Sequence, residues 1–459
     1  MGASDPTLTP VAGMVAVTEL VDRLGMVTAL DGQVGRIKQR ARGLSAGEFL
    51  VGLATAQMAG EDYLVGLDRR RADTAGTVLG PVPVAPSTTA ATLARRFGPE
   101  QWRAVETGIA EVAGRAIALV GDSRRRELLR SPTLDLDATE VEVYGSRKQG
   151  VAYNYKGQRA GRPHLGTWAE SGLVLACDLL PGDVDPRAGV VALFRRALAG
   201  LQAAAPGHGR VRVRADTGYF TKDLAEAVVT AGCDFAIGAI RNPATWRAAA
   251  GIAEETWTDA EGMPGAQVAV CDYAPGGWPP GTRCLVRRVR HDAATISADP
   301  RARRRRTIPA EQLTLALGGQ VDHVWAYSFI VTNLDITTPD KARQVEAWYR
   351  HRTDIEDRIR DAKHGAALRH LPSGNTDVNT AWMWGALLAV NLSAWLHELG
   401  GLDTGDGHGR SHLGRLRRDL VCVPGRVIRH ARRTVLRLPP GHTVLAQVLA
   451  RLRALPTPS

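Results

Sequence analysis

Residues 133–240 alternate between strand-like and helix-like patterns, and this order restricts the possible folds more than any other feature of the sequence. The first run, Thr133-Leu-Asp-Leu-Asp-Ala-Thr139, alternates polar and apolar side chains as a strand does. In chain order, strand-like runs cover 133–139, 164–169, 173–180, 211–215 and 233–240, and helical patterns cover 188–201 and 222–229. Such alternation predicts an α/β fold, in which helices pack against a sheet.

The order of these elements is three strands, a helix, a strand, a helix and a strand, which is that of an RNase H-like mixed sheet with flanking helices. Apolar residues at helical spacing predict an all-helical N-terminal region over 1–130. Residues 241–335 are rich in Gly, Pro, Trp and Arg and predict a mostly β insertion. We therefore expect a sheet domain built from 131–240 and 336–400, interrupted by that insertion and followed by a basic C-terminal region over 401–459.

The charge of the chain favours a polyanionic partner. Its 459 residues include 58 Lys and Arg against 47 Asp and Glu, a formal charge of +11, and the pI is about 9.8. Nucleic acid is the partner that such a basic balance most often indicates. An arginine-rich composition without functional meaning produces the same numbers, so charge alone leaves the partner open.

Several protein classes are disfavoured by what the sequence lacks. The five cysteines form no Cys-x-x-Cys pair, which argues against a zinc ribbon and for a reducing cytoplasm. No signal-peptide pattern opens the chain. The most apolar stretch, 381–396, is shorter than the ~20 residues of a membrane span and contains Asn391, so we expect a buried core helix. No Walker motif is present, and no nucleotide cofactor is expected.

Acidic residues occupy positions on the predicted strands where a metal site can form. Asp135 and Asp137 are two apart on one strand, so their side chains lie on the same face. Asp216 follows the run 211–215, and open α/β sheets place their chemistry at the carboxyl ends of strands. Mg²⁺ prefers oxygen ligands such as these, although an Asp before Thr or Gly is also a common turn residue.

A third acid lies on a predicted helix that begins after Thr338, an N-cap residue, and runs to about Lys363. Tyr349, Arg352, Glu356 and Lys363 have offsets of 0, 3, 7 and 14 and fall within roughly a 60° arc of that helix. Charged side chains on one face of a helix do not form the apolar surface with which a helix packs into a core. Arg352 and Glu356 also fit a simple exposed i, i+4 ion pair.

These residues resemble a cut-and-paste branch of the bacterial DDE transposases, whose signature is Tyr-x2-Arg-x3-Glu-x6-Lys. Tyr349, Arg352, Glu356 and Lys363 match that signature without a gap. Three further segments are similar to the family and support the resemblance, which extends over roughly residues 10–440. They are the Asp-x-Thr segment Asp137-Ala-Thr139, the second-Asp segment 213–220, and the turn 148–157, which is similar to one insertion-sequence subfamily.

The resemblance implies that Asp137, Asp216 and Glu356 are catalytic and hold Mg²⁺, for which Mn²⁺ can substitute. Two such metals about 4 Å apart can run phosphoryl transfer on DNA. Asp135 shares a face with Asp137 and is a candidate assistant.

The same resemblance implies that Tyr349, Arg352 and Lys363 bind DNA near the cut. The partner is then double-stranded DNA, both the terminal inverted repeats and the target DNA. A homodimer is expected to bind when two ends are synapsed. The expected location is the bacterial cytoplasm, in association with the nucleoid. No membrane partner is expected. Two rivals stay open, namely an RNase H-like nuclease without strand transfer and a DNA-binding protein that has lost catalysis.

Further DNA contacts are expected from arginines outside this helix. Arg95 and Arg96 lie in a short helix that opens at Ser87, and any soluble helix can carry such residues. The insertion carries a run of four arginines, which either form a solvated surface or contact DNA phosphates. It also carries three tryptophans, which either stack on a DNA base or pack in the core of the insertion. These residues are Arg303, Arg304, Arg305 and Arg306, and Trp246, Trp257 and Trp278.

Overall fold

The N-terminal part of the chain is helical apart from one short strand. The computed structural model describes residues 4–40, 42–402, 412–430 and 433–456. A capping box between Ser45 and Glu48 begins the third helix, as its sequence predicts. The elements are β1 (Leu8–Thr9), α1 (Met14–Arg23), α2 (Met26–Val34), α3 (Ala46–Met58), α4 (Gly66–Ala72), α5 (Thr74–Leu79), α6 (Ser87–Ala94), α7 (Pro99–Leu119) and α8 (Asp122–Arg130).

The central sheet confirms the predicted α/β fold class. Its core strands lie side by side in the order β6-β5-β2-β7-β8, in which β2, β7 and β8 are parallel to one another and β5 runs antiparallel to both of its neighbours, β2 and β6. The elements are β2 (Thr133–Ala138), β3 (Val141–Glu142), β4 (Ala152–Tyr153), β5 (Arg159–Trp168), β6 (Leu173–Pro181), α9 (Arg187–Ala204), β7 (Arg212–Ala215), α10 (Lys222–Thr230) and β8 (Asp234–Gly238).

A buried ion pair joins β2 to β7 at the centre of the sheet. Asp135 lies opposite Arg214 in the parallel register, and the guanidinium donates to both carboxylate oxygens at 2.7 and 2.8 Å. The two side chains are only 1% and 3% exposed. A one-residue slip would place these side chains on opposite faces, so the pair specifies the register of the two strands.

The insertion extends the same sheet instead of forming a separate one. Its last strand, β12, pairs antiparallel with β8, and β11, β10 and β9 follow outward in that order. Its elements are α11 (Pro243–Ala250), β9 (Thr258–Asp259), β10 (Ala266–Cys271), β11 (Arg283–Asp292), α12 (Ala310–Leu317) and β12 (His323–Thr332), with a 3₁₀ turn over Arg303–Thr307 before α12.

The helix that carries the predicted signature is not continuous, and this corrects the sequence-based expectation. Thr338 caps α13 (Pro339–Arg350) as predicted, but a 3₁₀ turn over His351–Thr353 separates it from α14 (Asp354–Arg360), and a π-helical turn over Asp361–Gly365 follows. The Thr353 hydroxyl donates to the Arg350 carbonyl at 3.3 Å, and such a side-chain bond competes with regular helix geometry.

The long helix α15 (Thr376–Gly400) is buried along nearly its whole length, as predicted for the apolar stretch 381–396. Asn391 supports this position, because its side-chain amide accepts from the Val174 amide at 2.8 Å and donates to the Val174 carbonyl at 3.0 Å. These bonds satisfy the outer edge of β6. None of the described helices is long and apolar enough to cross a membrane.

The C-terminal elements return to the N-terminal helices. Strand β13 pairs with β1, and α17 packs on α1 and α15. One hydrophobic core therefore runs from the N-terminal helices through the sheet to the C-terminal helix. The elements are α16 (Leu413–Leu416), a π-helical turn over Arg417–Val421, β13 (Gly425–His430), β14 (Arg433–Arg437) and α17 (Thr443–Ala454).

Replacing Arg214 by Met should lower the free energy of unfolding by about 3–5 kcal/mol, because the buried Asp135 carboxylate then loses its partner. Arg187→Met is the matched control. It breaks an ion pair with Asp185 whose side chains are about half exposed, and should cost no more than about 1 kcal/mol. Urea unfolding of both variants measures the difference, and equal losses would contradict a role of the buried pair in holding β2 on β7.

Candidate active site

The parallel pairing of β2 with β7 brings two of the predicted acids together. Leu136 lies opposite Ala215, so Asp137 and Asp216 come next on neighbouring strands at the same edge of the sheet. Both line an open cleft of about 970 Å³. Carboxyl ends of parallel strands are where α/β sheets place their chemistry.

Local hydrogen bonds hold Asp216 in place at the end of its strand. Its carboxylate accepts from the Gly218 amide at 2.8 Å and caps the short 3₁₀ turn Thr217–Tyr219. The carbonyl before it, that of Ala215, accepts from the Tyr349 hydroxyl at 3.0 Å. Asp216 therefore caps a turn, which the sequence left open as an alternative role, and also lines the cleft.

Asp137 is the most strongly perturbed acid of this site. Burial and the nearby charge of Asp216 together raise its pKa to about 7, against the opposite effect of the Arg352 guanidinium. Glu356 also raises it and therefore lies within electrostatic reach. Carboxylates that repel one another in a partly buried cleft favour a cation between them.

Arg352 supplies one such cation from the chain itself. Its guanidinium lies 3.6 Å from the Asp137 carboxylate and 3.4 Å from that of Glu356. The i, i+4 pair with Glu356 that the sequence allowed is therefore present, but Arg352 bridges two acids. The Glu356 side chain is 54% exposed and makes no other ion pair in the part of the chain that the structure describes.

Lys363 is bonded to the segment that follows Asp137. Its ammonium donates to the Thr139 hydroxyl at 2.9 Å and to the Glu140 carbonyl at 2.7 Å. The Glu140 carboxylate in turn pairs with Arg162 at 3.0 Å. Lys363 faces the cleft and ties the π-helical turn to the end of β2, so the two sides of the cleft are held at a defined separation.

Tyr349 is a positioning residue in this structure. Besides its bond to Ala215, its hydroxyl approaches β8 so closely that a Cβ on Gly238 would lie 2.9 Å from it. Burial raises the pKa of Tyr349 to about 12, so its hydroxyl keeps its proton. Gly238 is required by this close approach, and the sequence pattern did not single it out.

The neighbouring acids are used elsewhere. Asp135, the candidate assistant, has both carboxylate oxygens bonded to Arg214. Asp357 pairs with Arg360 at 2.8 Å. Asp135, Asp354 and Asp357 line a second cavity, of about 660 Å³, that contains none of the three predicted catalytic acids.

A basic cavity of about 410 Å³ shares Asp216 and Thr217 with the cleft. Arg241, Arg303 and Arg306 line it, and no carboxylate pairs with them among the described residues. Arg287 and Arg350 also line it, but both pair with the buried Glu346. Arg241 was not predicted as a site residue, because a lone arginine after a strand carries no distinguishing pattern.

The predicted arginine run does not act as one unit. Arg303 and Arg306 face the basic cavity, whereas Arg304 is exposed and does not line it. The guanidinium of Arg305 donates to the Ser297 and Ala298 carbonyls at 3.3 and 2.8 Å and so holds its own loop. Residues on successive positions of a 3₁₀ turn point in different directions, which separates them.

The predicted contacts outside the cleft have different surroundings. Arg95 and Arg96 are exposed, but they follow the C-terminal end of α6 and line none of the cavities described above. The tryptophans of the insertion are packed. Trp257 lies under the Arg288 guanidinium, Trp246 contacts Tyr327 and Phe329, and Trp278 contacts Phe220 and Phe235. Core packing is therefore the reading that the structure favours for these rings.

The donor atoms fit a hard divalent cation in type. Asp137, Asp216 and Glu356 offer carboxylate oxygens whose mutual repulsion a cation would relieve. Within the described ranges, no group of three or more His, Cys, Asp or Glu side chains is already arranged around a metal position. Arg352 lies between Asp137 and Glu356, so the prediction that all three acids share a metal site stays a prediction.

The family model described as "Transposase DDE domain group 1" matches residues 5–457. Among solved structures, the piggyBac transposase synaptic complex with hairpin DNA is similar, with a TM-score of 0.39 and 10% identity over 89% of this chain and 79% of that chain. The search of curated proteins found no significant match.

The stability of the metal-free protein should fall between about pH 4 and pH 7 because of Asp137. Its carboxyl loses its proton near the ordinary pKa of 3.8 when unfolded but keeps it to about 7 when folded, so rising pH favours the unfolded state in this window. Asp137→Asn should remove this loss, a difference on the order of 1–4 kcal/mol. Urea unfolding of both proteins in EDTA at both ends of the window measures this difference. An equal change of stability with pH in wild type and Asp137→Asn would contradict the raised pKa of Asp137.

Proposed function

This chain belongs to the transposase DDE domain group 1 family, and on that premise we propose that it cuts the terminal inverted repeats of its own element and joins the freed 3′-hydroxyls to target DNA. One observation carries the proposal, namely that Asp137 and Asp216 meet at the carboxyl ends of β2 and β7 in an open cleft whose mixed wall includes the cation Lys363. Phosphate esters are the substrates that such a pairing of acids and cations accommodates.

We propose that Asp137, Asp216 and Glu356 hold the divalent cation, with Mg²⁺ preferred and Mn²⁺ able to substitute. When bound, such a cation supplies Lewis-acid stabilisation of charge on the phosphate. The exposed Glu356 side chain is free to turn toward the two aspartates, since only a long contact with Arg352 restrains it. Asp135 stays in its ion pair and is not part of this set.

Arg352 and Lys363 have complementary roles in this proposal. Arg352 neutralises Asp137 and Glu356 in the unliganded chain, and once those acids are otherwise neutralised its guanidinium can bind a DNA phosphate beside the cut. Lys363 faces the cleft and donates to Thr139 and Glu140, so it supports the end of β2 and adds positive charge. Tyr349 positions Asp216 through Ala215 instead of contacting DNA.

The basic cavity next to Asp216 gives the DNA backbone a path away from the acids. Arg241, Arg303 and Arg306 present positive charge there, and all three belong to the insertion over 241–335. We propose that phosphates flanking the scissile one lie in this cavity. Arg95, Arg96 and Arg304 are exposed, and any DNA contact they make is more distant from the acids. Synapsis of two element ends is proposed to require a homodimer on DNA.

The first experiment separates a transposase from its two rivals. Wild type with Mg²⁺ should nick and join a labelled duplex bearing the element end, and Asp137→Asn or Asp216→Asn should reduce cleavage at least 100-fold, because a ligand of the proposed metal site is lost. Asp354→Asn is the matched control and should stay active, because Asp354 lies only two residues before Glu356 but lines a different cavity.

Each other outcome has a definite meaning. Cleavage without joining would favour the nuclease, and tight binding without cleavage by wild type would favour the silent DNA-binding protein. Cleavage that survives in both aspartate variants would show that the active site has been placed wrongly.

The double variant Arg303→Gln/Arg306→Gln should bind the element end more weakly. The slope of log affinity against log salt concentration should also fall, by the equivalent of about two phosphate contacts. Arg304→Gln, from the same turn but outside the basic cavity, is its matched control and should change both quantities less. Titrations at several salt concentrations without a divalent cation measure the slope. Equal effects of the two variants would mean that the basic cavity is not a phosphate path.

A further inference from the structure

Three tyrosines stand out from the surface near the catalytic cleft. Tyr144, Tyr153 and Tyr155 are 90%, 70% and 84% exposed. We call residues 144–156, which contain them, the tyrosine loop. Large apolar rings that are this exposed and lie this close in sequence indicate an interaction surface. The turn 148–157 of the sequence analysis overlaps this segment, and no role was predicted for it.

The tyrosine loop is held rigidly although its rings are exposed. Its strand β4 pairs with β5, and the Asn154 side chain accepts from the Lys156 and Gln158 amides at 2.9 Å each. At its other end, the Lys148 ammonium donates to the carbonyls of Leu371 and Ser373. Rings presented by an anchored backbone lose little conformational freedom when they bind a partner.

The loop is continuous with the catalytic cleft. Tyr155 and Lys156 line that cleft together with Asp137 and Asp216. The Lys156 ammonium lies over the Tyr155 ring, 5.2 Å from its centre, and 3.6 Å from the Glu140 carboxylate, so a cation and a largely exposed ring are presented together. Backbone phosphate and a base face are the two parts of a nucleotide that this pair can bind.

The other aromatic candidates are occupied by packing. Trp257 is buried against Arg288, and Trp246 and Trp278 contact rings of the sheet. Among the described residues of the cleft wall, Tyr155 is an aromatic side chain that is open to solvent. Stacking on a base therefore requires no rearrangement at the tyrosine loop.

We propose that the tyrosine loop stacks on unpaired bases of the DNA strand that enters the catalytic cleft, with Tyr155 as its main contact. This inference rests on the proposed function for the identity of the strand. Its chemistry requires only a nucleic acid with exposed base faces. Fully paired duplex offers such faces only at its ends, so the loop distinguishes a frayed or overhanging end from continuous duplex.

Binding without catalysis tests the proposal. In EDTA, wild type should bind a duplex with a short unpaired overhang more tightly than the same blunt duplex. Tyr155→Ser should lower affinity for the overhang by about tenfold, the order of one lost base–aromatic stack, and leave the blunt duplex nearly unchanged. Tyr155→Phe should behave as wild type, since it keeps the ring.

Tyr63→Ser is the matched control, because Tyr63 is also exposed but does not line the cleft. 2-Aminopurine in the overhang should be quenched by wild type, Tyr155→Phe and Tyr63→Ser, but not by Tyr155→Ser. Equal losses on both DNAs, or an unquenched overhang, would overturn the proposal. So would a change in self-association of Tyr155→Ser without DNA, which would identify the loop as a protein interface. If wild type fails to cleave but discriminates the overhang, the proposed function fails and this inference stands.

Discussion

The parallel register of β2 on β7 is the constraint on which the candidate site depends. Asp135 pairs with Arg214 across these strands, and two residues further on the same register sets Asp137 beside Asp216. A slip by one residue would bury an unpaired carboxylate and separate the two cleft acids at once. The ion pair in the sheet interior and the acids at its edge are thus parts of one arrangement.

That arrangement concentrates negative charge, and the surrounding residues compensate for it in two ways. Arg352 contacts Asp137 and Glu356 directly, while Lys363 donates to the backbone and hydroxyl just beyond β2. Burial and the neighbouring charge of Asp216 still raise the pKa of Asp137, so these cations do not fully compensate the acids. A site in this condition gains from binding a cation, and its own arginine then becomes available for another anion.

The insertion takes part in the site because it continues the sheet. Through β12 it is bonded to β8, and its 3₁₀ turn brings Arg303 and Arg306 to a cavity that shares Asp216 with the cleft. Tyr155 and Lys156, which follow β4, also line the cleft. The acids are therefore flanked by basic and aromatic surfaces that come from regions distant in sequence.

Periodicity and capping are local properties, so the sequence predicts the α/β order, the strand ends that carry Asp137 and Asp216, the helical segment that carries Glu356, and the burial of α15. The folded chain was needed to show that Asp135 belongs to an ion pair, that Tyr349 donates to Ala215, and which arginines of one run face a cavity. It also showed that the signature helix is broken at His351–Thr353. These outcomes depend on contacts between residues far apart in the chain, and no local pattern encodes which partner a charged or aromatic side chain will meet.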